Sequence, residues 1–311
     1  MTHLTSPNGT PASPFAFGTM QFGGRADAND SRAMYDACRA RNITHFDTAY
    51  LYTDGQSETL LGDMIARERD DLIIATKVGY SGGAGSANMR AQFEISRQRL
   101  QLDQVDILYL HRFDPDTDLN ETLETFAQFK QAGLIRYIGL SNFAAWQVMK
   151  AAAIAARFDL NIDIFQPMYN LLKRQAEVEI LPMCADQNIT VAPYSPLGGG
   201  MLTGKYIRGD KGRLSEDERY NERYSAGWMP ETTAGLLRLA EEMNLDPATL
   251  AVAWAAAHPT KPTPIISARN AEQLAPSLAA LDVTLSPAQY AQITALSPTP
   301  APATDRNELQ V

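Results

Sequence analysis

The sequence predicts an α/β fold, a (β/α)8 TIM barrel in a single domain, and three observations support this prediction. Eight short apolar or β-branched runs follow one another along the chain, and a stretch with helical spacing of apolar residues follows most of them. Eight such strand–helix units are the number that closes a parallel sheet into a barrel. A doubly wound open sheet is the alternative, but it usually carries G-x-G-x-x-G after its first strand, where this chain has Gln21-Phe22-Gly23-Gly24.

Hydrophobic periodicity assigns the elements in chain order. The predicted strands are residues 16–20, 45–49, 72–79, 105–111, 136–141, 164–169, 189–195 and 263–267. The predicted helices are residues 30–41, 57–68, 89–100, 120–132, 144–157, 177–188, 232–243, 247–258, 271–280 and 287–296. Ser57 and Asn120 are placed as N-caps, and Gly133 is placed to end the helix that precedes it.

The chain divides into a variable N-terminal segment (1–14), the barrel (15–297) and a Pro/Ala-rich C-terminal tail (298–311) that we expect to be mobile. A long insertion, residues 198–231, breaks the strand–helix rhythm and is rich in Gly, Arg and Tyr. Because it offers few apolar side chains to hold it, we expect this insertion to be the most mobile part of the barrel mouth.

Composition and charge exclude several classes of protein. The chain has 311 residues, and 27 basic against 36 acidic side chains give a net charge of −9, which argues against a nucleic-acid partner. Two cysteines are too few for a disulfide framework. No apolar run approaches the ~18 residues of a membrane helix, and the opening residues lack the basic start and apolar stretch of a signal peptide. We therefore expect a cytoplasmic protein with no membrane partner.

Polar side chains end nearly every predicted strand, and a barrel of this type carries its chemistry at those ends. Asp47 ends the second strand, Lys77 the third and His111 the fourth. Each has an ordinary structural explanation when taken alone. Asp47 could cap a helix or accept in a turn, the Lys77 side chain could extend to solvent, and His111 could be a hydrogen-bonded core residue. Because neighbouring strands bring their ends together, the set indicates a reaction site, with Tyr50 and Tyr52 beside Asp47.

Six segments resemble, in the same order, those of the aldo-keto reductase family over residues 15–297. DTAYLY is similar to the family's D-x-A-x-x-Y element, with Asp47 and Tyr52 at the matching positions. IIATKVG and LYLHRFD are similar to the strands that carry its lysine and histidine, here Lys77 and His111. GLSNF, QPMYN and APYSPLGGGMLTGKY resemble its cofactor-contacting strand ends.

The resemblance implies an NADP-dependent enzyme that reduces the carbonyl of aldehydes or ketones to alcohols. Tyr52 would be the general acid, and Lys77 would lower the pKa of its phenol. Asp47 would orient Lys77, while His111 would hydrogen-bond the substrate carbonyl and polarise it. Tyr50 is the alternative to Tyr52, and the family spacing favours Tyr52.

The resemblance also implies NADPH as the cofactor, bound across the barrel mouth without a Rossmann turn. Ser141, Asn142 and Gln166 match the residues that hold the nicotinamide carboxamide, and Tyr194 matches the aromatic ring that stacks on the nicotinamide. Arg269, at a helix N-terminus, suits a 2′-phosphate, which favours NADPH over NADH. The implied cofactor residues are Ser141, Asn142, Gln166, Tyr194, Ser195, Pro196, Leu197, Gly199, Lys205, Arg213, Ser267, Arg269, Gln273 and Ser277.

The implied substrate is a small-molecule carbonyl compound. The pocket residues are Phe22, Tyr50, Tyr52, His111 and Phe113. The expected pocket wall is aromatic with a little polarity, which suits aromatic or medium aliphatic aldehydes and does not select one. It consists of Met20, Phe22, Tyr50, Tyr80, Phe113, Met201 and the loop of residues 220–228. The sequence shows no metal-ligand spacing, so no metal is expected. We expect a monomer or a weak homo-oligomer.

The chain departs from the family pattern at two places. Ser277, preceded by Pro276, stands where the family usually has asparagine, so contacts to the adenine would be lost there. The N-terminal β-hairpin that often closes the barrel bottom is replaced by a Thr/Pro/Ser segment.

Two other functions are compatible with this fold. A non-catalytic regulatory subunit is disfavoured by the intact Asp-Tyr-Lys-His set. A dehydratase or isomerase would need a metal cluster or a second acid at the mouth, and the sequence shows neither pattern.

Overall fold

The computed structural model describes residues 4–304 and 306, and the predicted (β/α)8 barrel is confirmed within them. The described strands form one parallel, eight-stranded sheet in the order β7-β6-β5-β4-β3-β2-β1-β8. They are β1 (Ala16–Gly18), β2 (His45–Asp47), β3 (Ile73–Val78), β4 (Val105–Leu110), β5 (Ile135–Ser141), β6 (Ile164–Gln166), β7 (Thr190–Val191) and β8 (Ile265–Ile266). Most are shorter than predicted.

The sheet closes on itself where β7 meets β8. The amide of Thr263 donates to the Val191 carbonyl at 2.7 Å, and the amide of Ile265 donates to the Pro193 carbonyl at 2.8 Å. A parallel bridge joins Tyr194 to Ile265. Closure leaves none of the eight described strands at a free edge of this sheet, which is the property that defines a barrel.

Helices cover the outside of this barrel. They are α1 (Ala28–Ala40), α2 (Gln56–Ile65), α3 (Ser86–Leu100), α4 (Leu119–Gln131), α5 (Ala145–Ala155), α6 (Ile180–Asp186), α7 (Arg213–Glu216), α8 (Glu218–Arg223), α9 (Met229–Glu242), α10 (Pro247–Ala256), α11 (Ala271–Ala279) and α12 (Pro287–Thr294). The short α7 and α8 lie in the 198–231 insertion, where no helix was predicted.

Two predicted N-caps are wrong. Asp118 caps α4 by accepting from the amide of Asn120. Ser57 lies inside α2, and its own amide donates to the Thr53 hydroxyl at 3.0 Å. The capping oxygen in each case comes from a residue earlier in the chain than the one predicted. Gly133, with φ of +69°, follows the end of α4 as predicted.

Alternation along the strands separates an interior face from a face that meets the helices. On β3, Ile73 and Ala75 belong to the packed barrel interior, whereas Ile74 and Val78 pack in the cluster beneath the helices. Lys77 shares the interior parity of Ile73 and Ala75. The same alternation places Asp47 of β2 and His111, just after β4, on the interior side.

The N-terminal segment contradicts the expectation that the family hairpin is missing. Thr5 and Pro11 form an antiparallel bridge, and the amide of Ala12 donates to the Leu4 carbonyl at 3.0 Å. Leu4 packs in the barrel interior with residues of several strands. A Thr/Pro/Ser composition therefore still builds a small hairpin that closes the barrel bottom. Of the predicted tail, residues 305 and 307–311 lie outside the described residues.

The 198–231 insertion has more apolar contacts than the sequence suggested. Leu202 is fully buried and Met201 and Tyr224 nearly so, while Leu214 and Tyr206 pack against the core. The expectation of few apolar contacts in the insertion is therefore wrong. No helix among the described residues has the length and apolar character needed to cross a membrane.

Candidate active site at the barrel mouth

A buried lysine lies at the centre of the mouth. The Lys77 side chain is 0% exposed and forms an ion pair with Asp47. Its Nζ also donates to the Thr48 carbonyl at 2.8 Å and to the Tyr52 hydroxyl at 3.2 Å. An ammonium has three N–H donors, so each has an acceptor here. Burial acts to lower the pKa of Lys77, but Asp47 and Tyr52 outweigh it and the pKa lies above its ordinary value.

The Tyr52 side chain contacts the Lys77 ammonium, whereas Tyr50 meets Lys77 through the backbone, its amide donating to the Lys77 carbonyl at 3.1 Å. The Nζ of Lys77 lies 4.8 Å from the centroid of the Tyr52 ring. The Tyr50 ring instead lies 5.0 Å from the guanidinium carbon of Arg99. Burial raises the pKa of the Tyr52 phenol above its ordinary value, although Lys77 acts to lower it. Lys77 thus acts on the phenol in the predicted direction, but burial outweighs the lysine and the net shift of the pKa is upward.

His111 faces the same phenol. Its ring centroid lies 5.9 Å from that of Tyr52, with the planes at 82°. Burial, with Lys77 and Arg112 nearby, holds the pKa of His111 well below its ordinary value, so the imidazole is neutral. Its Nδ1 is buried without a hydrogen-bond partner among the described residues. The four predicted catalytic side chains thus lie together, and their roles stay predictions.

The segment that carries Tyr52 has an unusual backbone. Thr53 and Asp54 have φ of +47° and +52°, and Gly55 has φ of +92°. Left-handed conformations of this kind cost about 1–3 kcal/mol for non-glycine residues and persist only where surrounding contacts hold them. The Thr53 hydroxyl donates to the Phe22 carbonyl at 2.7 Å, which is one such contact.

A hydrogen-bond network connects the predicted nicotinamide residues to Asp47. The side-chain amide of Gln166 donates to Asp47 Oδ2 at 2.8 Å, and the Ser141 hydroxyl donates to the Gln166 carbonyl at 3.0 Å. The Tyr194 hydroxyl donates to Asn142 Oδ1 at 2.7 Å. Gln166 therefore has a contact to the carboxylate that the sequence did not indicate.

The turn after β7 accepts hydrogen bonds from one side chain that precedes it in the chain and one that follows it. Asn170 donates to the Ser195 carbonyl at 2.9 Å, and the Tyr206 hydroxyl donates to the Gly199 carbonyl at 3.1 Å. Ser195 and Gly199 have φ of +59° and +65°. Pro196 is buried and Leu197 is half-buried between them.

Cations from three parts of the chain gather beside this turn. Glu216 of α7 pairs with Arg269 at 3.3 Å and with Arg25 at 2.8 Å. Burial lowers the pKa of Lys205, and Arg269, Arg213 and Arg25 lower it further, which places these charges in one field. Arg213 also donates to the Tyr220 hydroxyl at 3.0 Å. The sequence analysis predicted Lys205, Arg213 and Arg269 as cofactor contacts and did not include Arg25. The position of Arg25, a cation directly after the Gly23-Gly24 turn, could have indicated it.

The predicted adenosine-side residues differ in accessibility. The Ser267 hydroxyl is buried and has no hydrogen-bond partner among the described residues, and neither has that of Ser277. Ser277 is 1% exposed and shares the packed face of α11 with Leu274 and Leu278. Gln273, one turn before Ser277, is exposed.

The predicted pocket residues are only partly brought together. Phe113 packs edge-on against Phe143 at 5.3 Å and against the exposed Trp146 at 6.1 Å. The Phe22 side chain is 0% exposed and packs on Phe17 at 5.6 Å, so it lies in the core and not on the open mouth. The sequence could not reveal this because the turn after β1 folds Phe22 inward.

His45 lies on the interior face of β2, two residues before Asp47. Both of its ring nitrogens are buried without a partner among the described residues, and burial lowers the pKa of His45 to about 4. An unfolded chain binds a proton at this histidine near pH 6.5, whereas the folded protein does so only near pH 4. The free energy of unfolding should therefore decrease as the pH falls between these values, by about 3 kcal/mol in total.

We expect His45→Met to remove this part of the acid sensitivity. Urea unfolding at pH 7 and pH 5 measures it, with the difference between the two pH values smaller in the variant than in the wild type. An equal pH dependence in both proteins would show that His45 is protonated in the folded state as readily as in the unfolded one.

No group of three or more His, Cys, Asp or Glu side chains suited to a metal ion occurs in the described ranges.

The chain is similar in sequence to several known proteins. A probable voltage-gated potassium channel subunit beta from Arabidopsis thaliana is 31% identical over 296 residues, 89% of each chain. An uncharacterized oxidoreductase, YrpG, from Bacillus subtilis is 31% identical over 304 residues, 89% of this chain and 90% of its own. Aflatoxin B1 aldehyde reductase member 2 from Rattus norvegicus is 36% identical over 220 residues, 68% of this chain and 60% of its own.

The model of the Aldo/keto reductase family matches residues 14–298. This match and the reductase relatives support an oxidoreductase activity for the barrel. By that match over nearly its whole length, the chain belongs to the aldo/keto reductase family.

Proposed function

We propose that the protein is an NADPH-dependent reductase that converts the carbonyl of an aldehyde or ketone to an alcohol, with Tyr52 as the general acid. The observation that supports this most is the contact of 3.2 Å between Lys77 Nζ and the Tyr52 hydroxyl, in an ammonium that also pairs with Asp47. A phenol beside a fixed, buried ammonium can give up a proton, because the charge that develops on its oxygen is stabilised.

The protonation states suit reduction. Because burial raises the pKa of Tyr52, the phenol holds its proton at neutral pH and can donate it to the carbonyl oxygen of the substrate. Lys77 then stabilises the phenolate, and Asp47 keeps Lys77 charged and in place. The neutral imidazole of His111 donates an N–H to the same carbonyl oxygen and polarises the C=O bond.

The residues at the mouth fit a nicotinamide nucleotide. The Ser267 hydroxyl, which has no partner within residues 4–304, and the cations around Glu216 offer hydrogen-bond and charge partners for a phosphorylated ligand. Ser141, Asn142, Gln166 and Tyr194 would hold the nicotinamide end. The nucleotide, when bound, supplies the hydride that the carbonyl carbon receives. The other residues that the family resemblance implies would contact the rest of the nucleotide. They are Ser195, Pro196, Leu197, Gly199, Lys205, Arg213, Arg269, Gln273 and Ser277.

Arg269→Ala should weaken NADPH binding about ten- to hundredfold and leave NADH binding nearly unchanged. A charge-assisted contact to a phosphate contributes roughly 1.5–3 kcal/mol, and NADH lacks the 2′-phosphate. Fluorescence titration with both nucleotides measures this. Glu216→Gln is the matched control, since it removes the same ion pair and leaves the guanidinium free. If Glu216→Gln weakened NADPH binding equally, Arg269 would act by holding the insertion through Glu216 and not by contacting the 2′-phosphate.

A regulatory subunit without turnover is the second candidate, and the potassium channel subunit relative favours it. The two functions differ in nucleotide consumption. A panel of aromatic and aliphatic aldehydes with NADPH, followed at 340 nm, should show oxidation of one NADPH per alcohol formed. Tight NADPH binding without consumption on any carbonyl compound would favour the regulatory function.

A further inference from the structure

A second ion pair, with a buried carboxylate and a partly exposed guanidinium, lies beside β3 near the Lys77–Asp47 pair. Arg99, in the last turn of α3, pairs with Glu58 of α2 at 3.2 Å, and the Glu58 carboxylate is 0% exposed. The Thr76 hydroxyl donates to Glu58 Oε1 at 2.6 Å. Thr76 directly precedes Lys77 on β3. Removing one partner of a buried pair is costly, so this carboxylate depends on Arg99.

Arg99 also contacts the segment that carries Tyr52. Its Nη1 donates to the Tyr50 carbonyl at 2.9 Å, and its guanidinium carbon lies 5.0 Å from the centroid of the Tyr50 ring. At the other end of the segment, a Cβ added to Gly55 would collide with the same guanidinium. Arg99 therefore contacts the chain on both sides of Tyr52.

These contacts act on a strained backbone. Thr53 and Asp54 hold left-handed conformations that L residues rarely adopt. Thr53 is β-branched, which makes the conformation costlier still. Such a turn keeps its shape only while neighbouring groups hold it. The described side-chain contacts on its backbone include the Thr53 hydroxyl on the Phe22 carbonyl, the Thr59 hydroxyl on the Gly55 carbonyl and Arg99 on the Tyr50 carbonyl.

We propose that Arg99 is a positioning residue for Tyr52, a role that rests on the proposed function. Arg99 makes no contact with Lys77 or Asp47 among the described hydrogen bonds and ion pairs; it acts through the Tyr50 carbonyl and Gly55. By fixing these two points, it keeps the phenol within hydrogen-bond distance of Lys77 Nζ. Arg99 also acts on β3, because its partner Glu58 accepts a hydrogen bond from Thr76, the residue before Lys77. A misplacement of about 1 Å in such a site can cost on the order of a hundredfold in rate.

The test compares Arg99→Met with Arg97→Met. Arg97 lies on the same turn of α3 but bonds Glu94 and Asp103, away from the Tyr52 segment. Arg99→Met should lower kcat for NADPH-dependent carbonyl reduction about ten- to hundredfold, with the Kd for NADPH within twofold of wild type. Arg99→Met should also move the alkaline fall of kcat to higher pH. The Tyr52 phenol would lie farther from the Lys77 ammonium, which lowers the pKa of that phenol. Arg97→Met should change neither quantity.

Stability must be separated from positioning, because Arg99→Met leaves a buried carboxylate unpaired. The double variant Glu58→Gln, Arg99→Met removes both charges and should recover most of the Tm lost by the single variant. Its kcat should stay low, since the Tyr50 carbonyl still lacks its donor. Recovery of kcat together with Tm would overturn the positioning role, as would a wild-type kcat in Arg99→Met.

Hydrogen exchange gives a measure that does not depend on activity. Amides of residues 50–55 should exchange faster in Arg99→Met than in wild type, and at the wild-type rate in Arg97→Met. Unchanged exchange in Arg99→Met would overturn the positioning role even in an active enzyme. A wild type that reduces no carbonyl compound would overturn the proposed function and leave the exchange result to decide whether Arg99 holds the segment.

Discussion

Tyr52→Phe is expected to lose about 10²–10⁴-fold in kcat while its Kd for NADPH stays near the wild-type value. The substitution removes only the hydroxyl that Lys77 contacts at 3.2 Å, and this hydroxyl is the proposed proton donor. Steady-state kinetics at 340 nm and a fluorescence titration measure the two quantities. A variant that keeps more than about a tenth of the wild-type kcat would transfer the role to another group, with Tyr50 the next to test.

The pH dependence gives the same substitution a second readout. A general acid must be protonated, so the wild-type rate of reduction should hold through neutral pH and fall once the pH exceeds the pKa of Tyr52, which burial raises. Alcohol oxidation, which needs the phenolate, should rise with pH over the same range. Tyr52→Phe should lose both dependences.

Lys77→Met is expected to abolish most turnover and also to destabilise the fold by about 3–5 kcal/mol. The ammonium is fully buried, and its removal leaves the Asp47 carboxylate with Gln166 as a remaining described donor. Urea unfolding measures the stability and a 340 nm assay the activity. Lys150→Met, on the exposed side of α5, is the matched control and should change neither.

A double variant separates the two effects of Lys77. Lys77→Met with Asp47→Asn removes both buried charges, and it should regain a large part of the lost stability while kcat stays low. Full activity in either variant would show that the ammonium has no part in the reaction.

Periodicity and the resemblance together predicted the parts of the site that follow from strand parity. Asp47, Lys77 and His111 lie on the interior side of three adjacent strands, so an alternating pattern is enough to bring their side chains to one mouth. The eight strands were found for the same reason, although their ends were predicted too long. Backbone hydrogen bonds between neighbouring segments continue past the strand ends, as from the Tyr50 amide to the Lys77 carbonyl and from the His111 amide to the Val78 carbonyl, so the residues there keep a strand-like pattern.

Features that depend on contacts between distant segments could not be predicted in the same way. The Arg99–Glu58 pair joins two helices, and each residue alone resembles an ordinary helix-surface charge. The contact of Gln166 with Asp47 spans the barrel interior. The left-handed turn at Thr53 contradicts local propensity, because β-branched residues disfavour it, and a local rule misplaces its neighbour Ser57 as a cap.

The barrel closes between its two shortest strands, and this affects how long the protein survives in the presence of proteases. β7 and β8 have two residues each, whereas β3 and β4 have six, so the closure should be the first part to open. Gln166 and Tyr194 come before that closure and Ser267 and Arg269 after it. A nucleotide held by these residues would bridge the opening, stabilising it by about 2.7 kcal/mol at a hundred times its Kd. Degradation by a protease that needs the open barrel would then slow as the nucleotide concentration rises, which would make the abundance of the protein depend on that concentration.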